Sequence, residues 1–220
     1  MLHDAAGAGH TGTAMALLTK GADVGAANGE GETALHDAAD YGKTETVTAL
    51  LAHGAGIGAK NNNRDTPLHL AAESGHIDTV AALLAHGADV AVSNRIDNTP
   101  LHLALWNQSD RHNTDIVTAL LARGADVNVV GMEGAAVAGW GMEGLAVAGG
   151  DTATVTILLE HGADAGATYD QGYTPLFSLP LMAAPPSSRR CWHTASTWRR
   201  RIVSETPRFT ALPTTATPPP

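Results

Sequence analysis

Cysteine and aromatic residues are scarce in this chain. Among its 220 residues there is one cysteine, Cys191, so the chain cannot form an internal disulfide. Aromatic residues make up 4% of the chain while hydrophobic residues make up 44%. A core would therefore consist of alanine, leucine and valine and would contain few large rings.

Two kinds of segment are also missing. No apolar run is long enough to span a membrane, and the N-terminus lacks the charged, apolar and small-residue order of a signal peptide. We therefore expect a cytoplasmic protein without a membrane partner, and a nuclear location stays open.

Basic residues are few in most of the chain. Residues 1–188 contain 7 Lys or Arg against 21 Asp or Glu, a formal charge of −14, whereas residues 189–220 carry +5. The acidic part would repel the phosphates of nucleic acid, and it favours a partner protein with a basic or polar surface.

A tetrapeptide returns every 33 residues, as Thr33-Ala-Leu-His36, Thr66-Pro-Leu-His69 and Thr99-Pro-Leu-His102. A glycine that follows a Leu-Leu pair marks each unit again, at Gly21, Gly54, Gly87, Gly124 and Gly162. Self-similarity at this fixed period indicates an array of repeats.

Each unit reads as two short helices. Thr66 can cap the first helix and Pro67 suits its first turn, where no intrahelical N–H is needed. Gly75 then breaks the helix, and apolar residues recur at helical spacing until Gly87, which suits a left-handed residue past a helix end. The polar residues 89–98 predict an exposed hairpin loop that leads to the next unit.

The tetrapeptide, the glycines and the 33-residue period resemble the ankyrin repeat family. The resemblance implies an all-α solenoid of helix-turn-helix units joined by hairpin loops. It also implies that the tetrapeptide histidine bonds to backbone groups and holds the hairpin loop. Partners of such repeats dock on a concave face made of hairpin tips and exposed residues of the first helix. By register, the partner-binding residues are Asp40, Tyr41, Lys60, Asn62, Asn63, Asp65, Glu73, Ser74, Ser93, Arg95, Ile96, Asn98, Trp106 and Asn107.

Trp106 stands out in an array with so few aromatic residues. Beside Arg95 and Ile96 it has the composition of a binding hot spot. Alternatively, Trp106 folds over the turn that follows it, and both interpretations stay open.

The array is irregular towards its end, and we place it at residues 1–177. Its first unit is clipped, and its fourth unit carries four inserted residues within 106–112. The fifth unit is degraded, since Gly141-Met-Glu-Gly144 stands where the tetrapeptide should be, and residues 131–139 are nearly repeated as 141–149. A sixth unit begins at Thr174 without being completed.

The tail, residues 178–220, breaks with this pattern, and we expect it to be disordered and frame-shifted. Read one base out of frame, its codons can encode a further ankyrin repeat. The spacing from Thr174 to the hidden threonine of that repeat falls one base short of 33 codons. One base lost near codon 177 would explain the tail.

Metal and cofactor sites are not expected. The chain has 11 histidines, but those of the tetrapeptide lie about one repeat apart, whereas zinc ligands converge on one point. The run Gly139-Trp-Gly141-Met-Glu-Gly144 has the spacing of a dinucleotide-binding loop but lacks the strand that must precede it. We therefore expect no catalytic residues, no cofactor and no metal, and a protein that is not an enzyme.

The sequence thus predicts a monomeric, non-catalytic module that binds another protein. Two alternatives stay open. The chain is a fragment of a larger adaptor or effector whose activity lies in a missing domain, or it is an eroded gene product without a selected partner.

Overall fold

The structure, a computed structural model, describes residues 1–106, 113–129 and 152–163. These residues form nine helices and no extended strands. The helices are α1 (Leu2–Gly7), α2 (Thr11–Thr19), α3 (Ala34–Asp40), α4 (Thr44–Ala52), α5 (Pro67–Glu73), α6 (Ile77–Ala85), α7 (Pro100–Trp106), α8 (Asn113–Ala122) and α9 (Thr152–Glu160).

The helices pack in two rows. The first helices of successive units, α1, α3, α5 and α7, pack side by side, and the second helices, α2, α4, α6, α8 and α9, form the other row. Within each of the first four units the two helices also pack against each other. The described part is therefore the all-α repeat solenoid that the sequence predicts.

The tetrapeptide starts the first helix of the regular units. Thr33 and Thr66 hold the extended backbone of a helix N-cap. Their N–H groups donate to Nδ1 of His36 and His69, at 3.0 and 3.1 Å, and so complete a capping box in which histidine replaces the usual glutamate.

The core consists of small and aliphatic side chains, as the composition predicts. In α3 the side chains of Ala34, Leu35, Ala38 and Ala39 are completely buried, and the same pattern recurs in the following first helices. Alanine at these contacts brings neighbouring helices close together, so each thin layer is filled without aromatic rings.

Glycine is required at the turn between the two helices of a unit. Gly42 has a φ of +65°, and a Cβ atom built on it would lie 2.6 Å from the His76 ring of the next unit. A side chain at this position would suffer both backbone strain and a clash.

The irregular end of the array is only partly described. The second helix of the fifth unit, α9, packs against α8. The duplicated residues 131–149, the sixth unit at Thr174 and the tail 178–220 lie outside the described residues, so their predicted limits stay predictions.

Candidate functional site

Asparagine shapes each of the three hairpin loops that the structure describes between units. The side-chain oxygens of Asn28, Asn61 and Asn94 accept hydrogen bonds from the backbone N–H groups two and four residues further on, at 2.9 to 3.0 Å. This local bonding shapes each loop from within. Their 33-residue spacing was visible in the sequence, but these asparagines were not among the predicted functional residues.

The tetrapeptide histidine holds the end of the next hairpin. Nε2 of His36 donates to the carbonyl of Asp65 at 3.1 Å, and Nε2 of His69 donates to the carbonyl of Asn98 at the same distance. Nδ1 accepts the threonine N–H of the capping box, so the proton lies on Nε2. The histidine role that the resemblance implied is confirmed in these two units.

Neighbouring hairpins are bonded tip to tip. The backbone N–H of Asn62 donates to the carbonyl of Glu30 at 2.9 Å, and that of Arg95 donates to the carbonyl of Asn63 at 2.8 Å. We call the three loops 28–32, 61–65 and 94–98 the hairpin rim. Because each tip is tied to the next, the rim is a connected strip of backbone.

The predicted contact residues differ in exposure. Those that the structure leaves exposed are Tyr41, Lys60, Asn62, Asn63, Glu73, Arg95 and Ile96. Those that are half-buried are Asp40, Ser74, Ser93 and Asn98. Trp106 ends α7, but its side chain, like the whole of Asn107, lies outside what the structure describes.

Asp65 requires a correction. It was expected on the exposed face, but only 8% of it is exposed. Its carboxylate accepts a hydrogen bond from Nδ2 of Asn94 at 2.8 Å, and its carbonyl accepts from His36. Asp65 therefore ties two hairpins and a helix together, because its side chain turns towards the next unit and away from solvent.

A sequence model of ankyrin repeats matches residues 2–94 and 55–130, with three copies of the repeat. The chain belongs to the ankyrin repeat family. Ankyrin repeats are generally modules for protein-protein interaction and are typically non-catalytic. No curated protein matches the chain.

Carboxylates gather at the C-terminal ends of two first helices of this ankyrin array. Ser74 Oγ donates to Asp40 Oδ1 at 2.8 Å, which links the end of α5 to the end of α3. Desolvation raises the pKa of Glu73, and the nearby carboxylates of Asp65 and Asp40 raise it further. Asp65 and Asp40 are thus each close enough to Glu73 to repel its carboxylate.

Two large hydrophobic residues of the predicted contact set are exposed. Tyr41 is 61% exposed and Ile96 is 59% exposed. The Tyr41 ring lies beside Gly7 of the preceding unit, since a Cβ atom on Gly7 would be 3.2 Å from the ring. Ile96 lies in the last loop of the rim, so the two residues belong to different units.

The histidines of the ankyrin tetrapeptide serve the fold. Burial lowers the pKa of His36 and His69, and it lowers the pKa of His102 to about 4. All three imidazoles are therefore neutral at pH 7. Within residues 1–106, 113–129 and 152–163, no three or more His, Cys, Asp or Glu residues are grouped as a metal site. In the same ranges no helix has the length and apolar character needed to cross a membrane.

Proposed function

We propose that this chain binds a partner protein, without catalysis, through the face formed by the hairpin rim and the ends of α3, α5 and α7. The observation that carries the proposal is the connected rim. Because its loops are already bonded internally and to one another, little conformational freedom is lost when a partner docks, and affinity gains accordingly.

The composition of the face supports the same function. Exposed asparagines such as Asn62 and Asn63 offer donors and acceptors, while Tyr41 and Ile96 offer apolar contact area. Binding energy in protein interfaces concentrates on a few large side chains surrounded by polar residues. We propose that the main contacts lie on the second, third and fourth units, where each hairpin loop has a neighbouring unit on both sides.

The partner that fits best is an intracellular protein with a basic or polar surface. The charge of −14 over residues 1–188 would steer such a partner towards the array and keep nucleic acid away. In this proposal the chain acts in the cytoplasm as a monomer.

Site-specific photo-crosslinking tests this proposal. A benzophenone amino acid is placed at Tyr41 or Ile96, and as a matched control at Ala52 or Ala85, which are exposed at the ends of α4 and α6. In extracts of the source cells we expect the same protein to be crosslinked from Tyr41 and Ile96 and not from the controls. Equal crosslinking from all four positions, or crosslinking only from the controls, would contradict the proposed face.

A further inference from the structure

The three hairpin asparagines differ in exposure and in the residue that follows them. Asn28 is followed by glycine, whereas Asn61 and Asn94 are followed by Asn62 and Arg95. Asn28 is also exposed, whereas only 9% of Asn61 and 5% of Asn94 is exposed. The first hairpin therefore presents to solvent an asparagine that the other two hairpins bury, and the residue after it has no Cβ atom.

The backbone nitrogen that follows each asparagine differs as well. The N–H groups of Asn62 and Arg95 make the tip-to-tip bonds, to the carbonyls of Glu30 and Asn63 at 2.9 and 2.8 Å. The N–H of Gly29 has the equivalent place in the first hairpin, and in the part of the chain that the structure describes it makes no hydrogen bond. This nitrogen is therefore available for a reaction, whereas the other two are engaged.

The side-chain amide of Asn28 is held as an electrophile would be. Its Oδ1 accepts hydrogen bonds from the N–H groups of Glu30 and Glu32 at 2.9 and 3.0 Å. Such donors stabilise the negative charge that grows on a carbonyl oxygen when its carbon is attacked. Nδ2 donates to Oε2 of Glu32 at 3.1 Å, so a group that can take and return a proton lies beside the nitrogen that would leave.

We propose that Asn28 is a site of spontaneous deamidation in the folded chain. The nitrogen of Gly29 attacks Cγ of Asn28 and forms a cyclic imide. The bond between Cγ and Nδ2 breaks, and Nδ2 leaves as ammonia with the proton that the Gly29 nitrogen gives up. Water then opens the ring at either carbonyl, which yields aspartate or isoaspartate at position 28. The reaction needs only water, and the proposal does not depend on partner binding.

Either product changes the junction between the first two hairpins. A carboxylate at position 28 repels Glu32, where Nδ2 now donates to it. Isoaspartate also lengthens the backbone by one carbon, which displaces the acceptor of the Glu30 and Glu32 N–H groups. The bonds from Asn62 to the carbonyls of Gly29 and Glu30, at 3.2 and 2.9 Å, then lose their geometry. Deamidation thereby loosens the first hairpin from the second.

Timed incubation of the full chain at mildly alkaline pH tests the proposal, with the other two hairpins as internal controls. Peptide mapping by mass spectrometry follows the conversion of the three asparagines, and labelling by a methyltransferase specific for isoaspartate identifies that product. We expect Asn28 to react at least about tenfold faster than Asn61 and Asn94 while the chain is folded, because the latter must first be exposed and the next N–H released.

Two variants separate the effect of the glycine from that of the fold. Gly29→Ala adds a methyl group in open space, since a Cβ atom there meets nothing within 4 Å. It should slow the reaction of Asn28 by about tenfold or more, because a Cβ atom restricts the backbone rotation that the attack requires. Circular dichroism of each variant verifies that it is folded.

Asn62→Gly is the matched control, because it gives Asn61 the same following residue as Asn28. In the folded variant the N–H at position 62 can still donate to Glu30 and Asn61 is still buried, so Asn61 should stay slow. In guanidinium chloride the fold no longer distinguishes the two asparagines, and their rates in this variant should become similar.

Equal rates at the three asparagines of the folded wild type would overturn the proposal. Fast reaction of Asn61 in folded Asn62→Gly would also overturn it, since exposure and the free N–H would then have no effect, and so would an Asn28 that reacts only in guanidinium chloride. Hydrogen exchange of the chain with isoaspartate should show reduced protection at the N–H of Asn62. Unchanged protection there would refute the loosening of the first hairpin.

Discussion

Acid should destabilise the fourth unit through His102. This histidine is 3% exposed, and its Nδ1 accepts the N–H of Thr99 at 3.1 Å. In His36 and His69, Nε2 donates to a carbonyl of the next hairpin. In the part of the chain that the structure describes, Nε2 of His102 has no partner within hydrogen-bond distance, and the nearby Val129 backbone offsets the effect of burial on its pKa only in part. Burial lowers the pKa of His102 from its usual 6.5 to about 4.

The size and sign of the loss of stability in acid follow from the difference between the folded and unfolded pKa of His102. The folded state has the lower pKa, so the stability contributed by neutral His102 is fully present above the unfolded pKa of 6.5 and is lost as the pH falls towards 4. A difference of about 2.5 pKa units corresponds to about 3 kcal/mol, of which about 2 kcal/mol is lost by pH 5. The pKa values of His36 and His69 are lowered too, so they act in the same direction.

Urea unfolding followed by circular dichroism measures the effect between about pH 7.5 and pH 5. In His102→Asn a neutral amide can still accept the Thr99 N–H, so the pH-dependent loss of unfolding free energy should shrink by about 2 kcal/mol. The control is His86→Asn, which removes an exposed imidazole and leaves the buried ones in place. Hydrogen exchange should show that α7 loses protection first in acid. An unchanged pH dependence in His102→Asn would refute the reasoning.

Other predictions concern the loops, the turns, the binding face and the tail. Asn61→Ala removes two loop hydrogen bonds and should lower the free energy of unfolding by about 1–2 kcal/mol, whereas Asn63→Ala at the exposed tip should have little effect. Gly42→Ala should cost about 1–3 kcal/mol by the same measurement, because of its positive φ and the His76 ring, whereas Gly58→Ala meets open space. Replacing Arg95, Ile96 and Trp106 together by alanine should weaken the free energy of binding to a crosslinked partner by more than about 2 kcal/mol, as measured by titration calorimetry. Resequencing the gene near codon 177 tests the predicted loss of one base. Restoring one base there must open an ankyrin reading frame, and failure to do so would contradict the frameshift.

The period of the sequence was sufficient to predict the helices and their pairing. Thr66, Pro67 and Gly75 fix a helix start and a helix end by local chemistry, and that chemistry is unchanged in the folded array. The role of His69 was also predictable, through the family resemblance. Features that are formed within one unit and recur in the next unit can therefore be predicted from a single sequence.

Contacts between units were harder to predict. Asp65 is polar and lies beside a hairpin tip, so sequence alone favoured exposure, but its position is decided by the amide of Asn94, 29 residues away.

The bonds between units have a consequence for how such a gene can change in length. His36 reaches the carbonyl at the end of the next hairpin, and His69 repeats this bond one unit later. The tip-to-tip bond of Asn62 likewise recurs at Arg95. Since the junctions on either side of the third unit use the same donors and acceptors, deleting or duplicating a block of 33 codons there joins two ends that already match. A single added residue inside a loop has no such freedom, because it shifts the donor of these bonds relative to the acceptor. Growth by whole units is therefore the change that this architecture accepts most readily.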